Sequence, residues 1–586
     1  MKNISLYFSI CLLILLSPVI IFAGNKNTFV KGTYQTTRTL DPASCFDSSC
    51  GMKIRNIFET LVQFNGQSSE SFVPLLATKV PTLKNGGITE DGTLYTFYIR
   101  KGVKFHNGET LIPEDVEYSL ERNMLVDQVN GPSGMLLKAI LGNEYQSTRK
   151  NGKIIPGIMK KIMDAIVLKG NTISIKLSAP FPPLLAILQG SWGSIVSKKW
   201  AIANKAWDGT LESASKQQKD GGYNAPQINT EPLQAISNGT GAYQLKSWEK
   251  SNQIILEAFD QYWGKKPYIQ TAIIEYLPEW TSLKLKLLNG DADTVTVSNT
   301  FVSEIKRIQD ITIYKIPQLT ASFALFNHKI NAKNNLDIGS GKLDGKGIPT
   351  DFFTDINIRL SFLHAIDYKV LKEDVGNNLV LNPGSPNIKG LPYFKKIPMF
   401  PFDLEKSKNY LKKAFNGDVW RKGFQMTITH QYDSTFYEAV ALMMAENMNT
   451  LSPKINIKVQ KINPKDYIEK YQQSLFPVFF VHWKAEYPDP HNFLPTFMHS
   501  KGINGRFSHY YNPEVDKLCE EGAMTSDPVK RKKIYTQLQN IWKTDAVGVG
   551  LQQPLLVKIY RSNISGFVPN AVFDDEYELL RVLKKR

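Results

Sequence analysis

The chain is short of the residues and spacings on which most enzyme chemistry depends. Its 586 residues include only four cysteines and eight histidines, and no histidines fall at a zinc-binding spacing. There is no GxSxG nucleophile elbow, no HExxH metal pair and no GxxxxGK phosphate loop. Isolated Ser, His and Asp residues do not make a triad, so the sequence favours binding over turnover. No long basic block with interleaved aromatics occurs, which argues against a nucleic-acid partner. The excess of 70 Lys and Arg over 54 Asp and Glu instead suits a surface near anionic phospholipid or an attraction for acidic ligands. Beyond the first two dozen residues no apolar stretch approaches the roughly 20 residues that a membrane span needs.

What is present begins with MKNISLYFSICLLILLSPVIIFAG. One cation, Lys2, precedes an apolar run from Leu6 to Phe22, with Ile21 and Ala23 at the specificity positions of a cleavage site. This is the layout of a secretory signal covering residues 1–23. Cys11 lies inside the run without the small-residue context of a lipoprotein. The remaining cysteines are Cys45, Cys50 and Cys519. Export permits a Cys45–Cys50 disulfide in CFDSSC, with free thiols as the alternative. About 560 residues then remain, enough for two or three lobes with their own cores. Clefts between such lobes are favoured places for small-molecule sites.

Along the chain, Thr28–Tyr34 reads as a first strand and TLDPASCFDSSCG as a turn-rich loop, with helical apolar spacing over Ile54–Leu61. Leu94–Ile99 reads as a strand feeding a helix that opens at Pro113, with Glu114 and Asp115 at its positive end. Two strands flank LKGN, and residues 201–235 read as an exposed insertion or connection. Thr281 is placed to cap a helix carrying Leu283 and Leu287, with Gly290 to end it. The late run of QMTITH, TFYEAVALMMAENM, INIKVQKI, NPKDYIEKYQQ and PVFFVHW alternates strands with helices. Such alternation predicts a parallel or mixed α/β sheet. The loop AEYPDPHNF leaves the carboxyl end of the last strand, where ligands commonly meet α/β sheets, so Glu486 is a candidate partner for a bound cation.

Several landmarks stand in order: TLDP, GVKFHNGETLIPEDVEYSLER, GTGAYQL with AFDQYWGKKP, LLNGDAD, INIRLSFLHAIDYKVL, and WKAEYPDPHNFL followed by YYNPEVDKL. With these the chain resembles the large extracytoplasmic solute-binding proteins of the peptide and nickel ABC-importer family. The resemblance implies an α/β, type II periplasmic-binding-protein-like fold, with two lobes around a ligand cleft plus a small additional domain. It implies lobe I from residues 24–73, 205–311 and 545–586, the small domain from 74–204, and lobe II from 312–544. It further implies a periplasmic monomer without catalytic machinery, cofactor or metal, serving a membrane permease with ATPase subunits.

In the peptide-binding members an acidic residue shortly after the tryptophan of the late motif receives the ligand's amino group. Here the matching segment is Trp483, Lys484, Ala485, Glu486 and Tyr487, so Glu486 replaces the usual aspartate and carries its carboxylate one methylene further out. Trp483 and Tyr487 are then expected as an aromatic wall, and Tyr34, Thr39, Leu40 and Asp41 as an approach from the N-terminal lobe. A short peptide is the expected ligand. A nickel chelate, with His430, His482, His491, His499 and His509 as available donors, or another small organic solute is the alternative. A secreted hydrolase is the reading from a different class.

Overall fold

A computed structural model describes residues 25–227, 230–572 and 578–586; the secretory-signal reading of residues 1–23, with Cys11, falls outside them. The N-terminal strand Thr28–Thr33 is buried along its whole length. It lies between two parallel neighbours, Thr271–Tyr276 and Thr294–Val295. The antiparallel strands Gln253–Ala258 and Tyr243–Glu249 complete this five-stranded sheet. A strand with neighbours on both sides and cover on both faces needs apolar residues at successive positions, which Phe29 and Val30 supply.

A second sheet runs Ile311–Pro317, Gly548–Arg561, Thr320–Phe326, Val478–Lys484, with Val380–Leu381 also paired to the long Gly548–Arg561 strand. All its pairings are antiparallel. Of the parallel or mixed pairing expected for the late region, the parallel part is Phe424–Gln431 with Ile455–Ile462, which are joined through the helix Thr435–Leu451. Val478–Lys484 takes the edge of the antiparallel sheet, pairing with Thr320–Phe326. Its first half is buried and its second half emerges toward solvent, which delivers the following loop to a surface cleft.

The third unit is a small antiparallel sheet of Leu94–Tyr98, Thr172–Lys176 and Ile166–Lys169. The helices Pro113–Leu125, Ser133–Leu141 and Ile158–Ala165 pack together and against its edge strand. Pro113 stands in the first turn of its helix as the sequence suggests. The segment 201–235, expected as an exposed insertion or a connection, is exposed at many of its described positions but anchored at others. Trp207 and Leu233 are buried, and the Trp207 ring stacks on Tyr118 at 5.2 Å, so packing fastens a stretch whose composition reads as loop.

Two helix starts also differ from the sequence reading. The first helix runs Ser48–Ile57, because the Asp47 carboxylate accepts the Cys50 amide at 2.9 Å and caps it early. The Trp280–Asn289 helix starts after Glu279 rather than being capped by Thr281, while Gly290 ends it in a left-handed conformation as expected.

Cys45 and Cys50 are joined by a disulfide, their α-carbons 5.9 Å apart and both side chains fully buried. The link closes a loop of only a few residues onto the first helical turn, so the chain-entropy contribution is about 2 kcal/mol. Replacing both cysteines with alanine is expected to lower unfolding free energy by about that amount, read as a lower urea midpoint. Wild-type protein in reductant should show the same loss.

His106, in the GVKFHNGETL landmark, fixes the small unit to the first sheet. The Gly239 amide donates to His106 Nδ1 at 3.3 Å, leaving the Nε2–H to donate to the Gly241 carbonyl at 3.0 Å. Burial beside Phe259 lowers its pKa from 6.5 to about 4. Below pH 6.5 the unfolded chain takes up a proton that the folded chain resists until about pH 4. Stability from this residue is thus complete above pH 6.5 and falls as pH drops toward 4, by about 3 kcal/mol. The stability difference between wild type and H106Q, followed by urea unfolding from pH 7 to pH 4, should shrink over that window.

Candidate functional site

The loop after Val478–Lys484 is held from beneath before it presents anything to solvent. Asp489 accepts the His491 amide at 2.9 Å, capping the short turn Pro490–Asn492. Its two carboxylate oxygens accept Arg531 Nη1 and Nη2 at 2.9 and 2.8 Å. Arg531 belongs to the helix Pro528–Thr544, and both partners are buried. A bidentate guanidinium–carboxylate pair fixes orientation as well as charge.

Asn492 then ties the exposed part of the loop together. Its side-chain oxygen accepts Trp483 Nε1 at 3.0 Å and the Glu486 amide at 3.3 Å. The Ala485 amide bonds the Leu319 carbonyl at 2.8 Å. With its backbone restrained at both neighbouring points, Glu486 projects a carboxylate whose side chain remains 40% exposed. Tyr487 turns inward, its hydroxyl 2.8 Å from His491 Nδ1. Burial raises the tyrosine's pKa well above 10 and lowers that of His491. The pair is therefore a hydrogen bond between a neutral phenol and a neutral imidazole.

The facing wall comes from the small unit. Phe181 meets the Tyr487 ring edge-on at 5.9 Å. The helix Ser133–Leu141 contributes Met135 and Lys138, and Lys138 Nζ lies 3.3 Å from Glu486 Oε2. Between the walls lies a cleft of about 490 Å³, lined by Trp483, Glu486 and Tyr487 together with Lys138, Asn492 and Lys501. Its volume falls in the range of about 300–1,000 Å³ usual for small-ligand sites. Aromatic walls, amide groups and charges of both signs suit a ligand with apolar side chains and charged ends.

The N-terminal residues expected here are elsewhere. Tyr34 lines a separate cavity of about 180 Å³ beside the first sheet, with Lys31, Gln35, Thr294 and Glu578. Thr39, Leu40 and Asp41 are buried away from the cleft lining. Both Asp41 oxygens accept Arg122 nitrogens at 2.7 Å, and Arg122 also donates to Glu231 at 2.6 Å. Burial alone would raise the Asp41 pKa, and Arg122 beside it brings it below its ordinary value. Burial and the neighbouring Asp41 push Glu231 up to about 9. One guanidinium thus balances one carboxylate, and the TLDP turn braces the N-terminal segment.

Sequence reasoning missed Lys138, Asn492, Asp489 and Arg531. A lone cation in the otherwise uncharged SGMLLKAIL helix was a legible signal for Lys138. Nothing local marked Arg531 as the partner of Asp489.

The sequence profile of the bacterial extracellular solute-binding proteins, family 5, matches residues 71–505. The chain belongs to this family. It is 23% identical to the dipeptide-binding protein of Escherichia coli (strain K12) over 538 residues, covering 89% of this chain and 88% of that protein. Among solved structures it is similar to the periplasmic murein tripeptide-binding protein MppA in its unliganded open form. That likeness has a TM-score of 0.73 and 20% identity, and covers 96% of this chain and 98% of the other. HbpA2 from Haemophilus parasuis matches with a TM-score of 0.72 and 19% identity, covering 96% of this chain and all of that one. The fold is that of the type II periplasmic binding proteins, a mixed α/β architecture of two lobes. As a family 5 member the chain is a solute-binding protein. No helix among the described residues is long and apolar enough to cross a membrane.

Proposed function

We propose that this family 5 protein is a periplasmic receptor that captures short peptides and delivers them to the permease of an ABC importer. The observation that carries the reading is the Glu486 carboxylate, set on a restrained loop and turned into a cleft of small-ligand size. A peptide's protonated amino terminus is the natural partner for such a group, and charge-assisted hydrogen bonds are about twice as strong as neutral ones. Trp483, Tyr487 and Phe181 offer aromatic surface to side chains, and Asn492 holds Trp483 and Glu486 in place.

The remaining steps follow from cleft chemistry. The strand Gly548–Arg561 corrects the expected boundary at 545, because its first half pairs with Thr320–Phe326 and Val549 and Leu551 pack in that core, while Val557 and Ile559 pack against the first sheet. One lobe is built on the first sheet, the other on residues 312–544 with the start of this strand, and 74–204 is the small domain that carries Lys138 and Phe181. Ligand entry closes these parts by a hinge movement and removes water from the Glu486 contact, which strengthens it. Bridging waters let different side chains be accommodated without loss of the common main-chain contacts. The absence of nucleophile and metal motifs in the sequence favours release of the ligand unchanged.

Calorimetric titration of the mature protein with trialanine, followed by mass analysis of the recovered peptide, tests this. Saturable binding with the peptide recovered intact is expected. Cleaved peptide would replace the receptor reading with a hydrolase, and no binding by a panel of di- to pentapeptides would end the peptide reading.

A further inference from the structure

Lys138 is the one charged residue of the Ser133–Leu141 helix, and its ammonium reaches across the cleft to the carboxylate of Glu486. The two groups stand on opposite walls, one on the small unit and the other on the loop after Val478–Lys484. The contact engages the same carboxylate that a ligand amine would use. An amine that takes Glu486 releases the Lys138 ammonium inside the cleft, where Lys501 is also on the lining. Two lysines then face a single carboxylate. The other titratable groups on the lining do not restore the balance. Burial lowers the pKa of His491 and keeps Tyr487 protonated, and His499 faces Asp516 and Glu520 at 3.7 and 3.4 Å.

We propose that Lys138 is a specificity-determining residue, which exchanges Glu486 for a ligand carboxylate and so selects short peptides bearing an acidic side chain. The proposal rests on the peptide reading above. A neutral dipeptide brings one positive and one negative end, which leaves one lysine charge uncompensated. A second ligand carboxylate compensates it. The difference grows as closure removes water, because an unpaired charge is costly to desolvate. Lys138 thereby links two events at one carboxylate: the ligand amine must displace it, and the ligand acid must then receive it.

The test is calorimetric titration of wild type, K138M and K138R with Ala-Ala and Ala-Glu at low ionic strength, after a melting curve has shown each protein folded. Wild type is expected to bind Ala-Glu about tenfold more tightly than Ala-Ala. K138M should bind the two within about twofold, because the group that tells the acidic ligand from the neutral one is gone. K138R keeps the charge and should keep the preference, which a role in helix packing alone would not require. Equal affinities in wild type, or an undiminished preference in K138M, would overturn the proposal while leaving the peptide reading intact. Failure of wild type to bind either dipeptide or any of the longer peptides would overturn both.

Discussion

Replacing Glu486 with glutamine is expected to weaken binding of a peptide with a free amino terminus by about 2 kcal/mol, roughly 30-fold. The substitution keeps size and hydrogen-bonding capacity but removes the charge. Truncating one member of a buried, hydrogen-bonded charge pair costs about 2–5 kcal/mol. The low end applies because the Glu486 side chain is 40% exposed and water screens it. The same peptide with an acetylated amino terminus should bind wild type weakly and be nearly indifferent to E486Q. That pattern separates a lost charge pair from a general disturbance of the cleft. E486D withdraws the carboxylate by about 1.5 Å, so its affinity should fall between those of wild type and E486Q. Equal peptide affinity in folded wild type and E486Q would remove Glu486 from ligand binding.

The second large effect is on stability. Replacing Asp489 with alanine leaves the buried Arg531 guanidinium without its carboxylate, and breaking a buried pair in this way costs about 3–5 kcal/mol. Arg531 retains the Gly522 carbonyl and the Tyr535 hydroxyl as acceptors at 3.1 and 3.2 Å, which supply hydrogen bonds but no opposing charge. The loop also loses the cap on Pro490–Asn492. Because Asn492 positions both Trp483 and Glu486, peptide affinity should fall along with stability. The double variant D489A/R531M removes the unpaired charge and should recover part of the loss in urea unfolding. A double variant no more stable than D489A would locate the cost in the cap and the loop rather than in the buried charge.

The two effects show which features of this chain were readable in advance. The place of Glu486 on the cleft was legible in local sequence, where an apolar strand ends and a carboxylate follows in the next loop, whereas its expected role toward an amino group came from the family resemblance. Asp41 also stands in a recognisable turn, yet its carboxylate is taken by Arg122, 81 residues later. No pattern within the turn reports that partner. The same limit applies to strand direction. PVFFVHW reads correctly as a strand, but its antiparallel mate is Thr320–Phe326, more than 150 residues earlier, and alternation with the nearby helices could not point to that partner. The start of the first helix was hidden because Asp47 and the Cys45–Cys50 bond act within a segment whose composition signals turn. In the stretch 201–235 large apolar residues are few, so its composition reads as exposed, yet Trp207 and Leu233 are buried and help seat it.

On the proposed function, this cleft holds short peptides and returns them whole. Native mass spectrometry of the protein recovered from a periplasmic extract, with the retained ligand released by denaturation and identified, tests it most directly. A set of intact short peptides with free amino termini, enriched in acidic side chains, is expected. A single non-peptide mass, such as a metal chelate, would contradict the peptide assignment and make Glu486 a pocket residue for that solute.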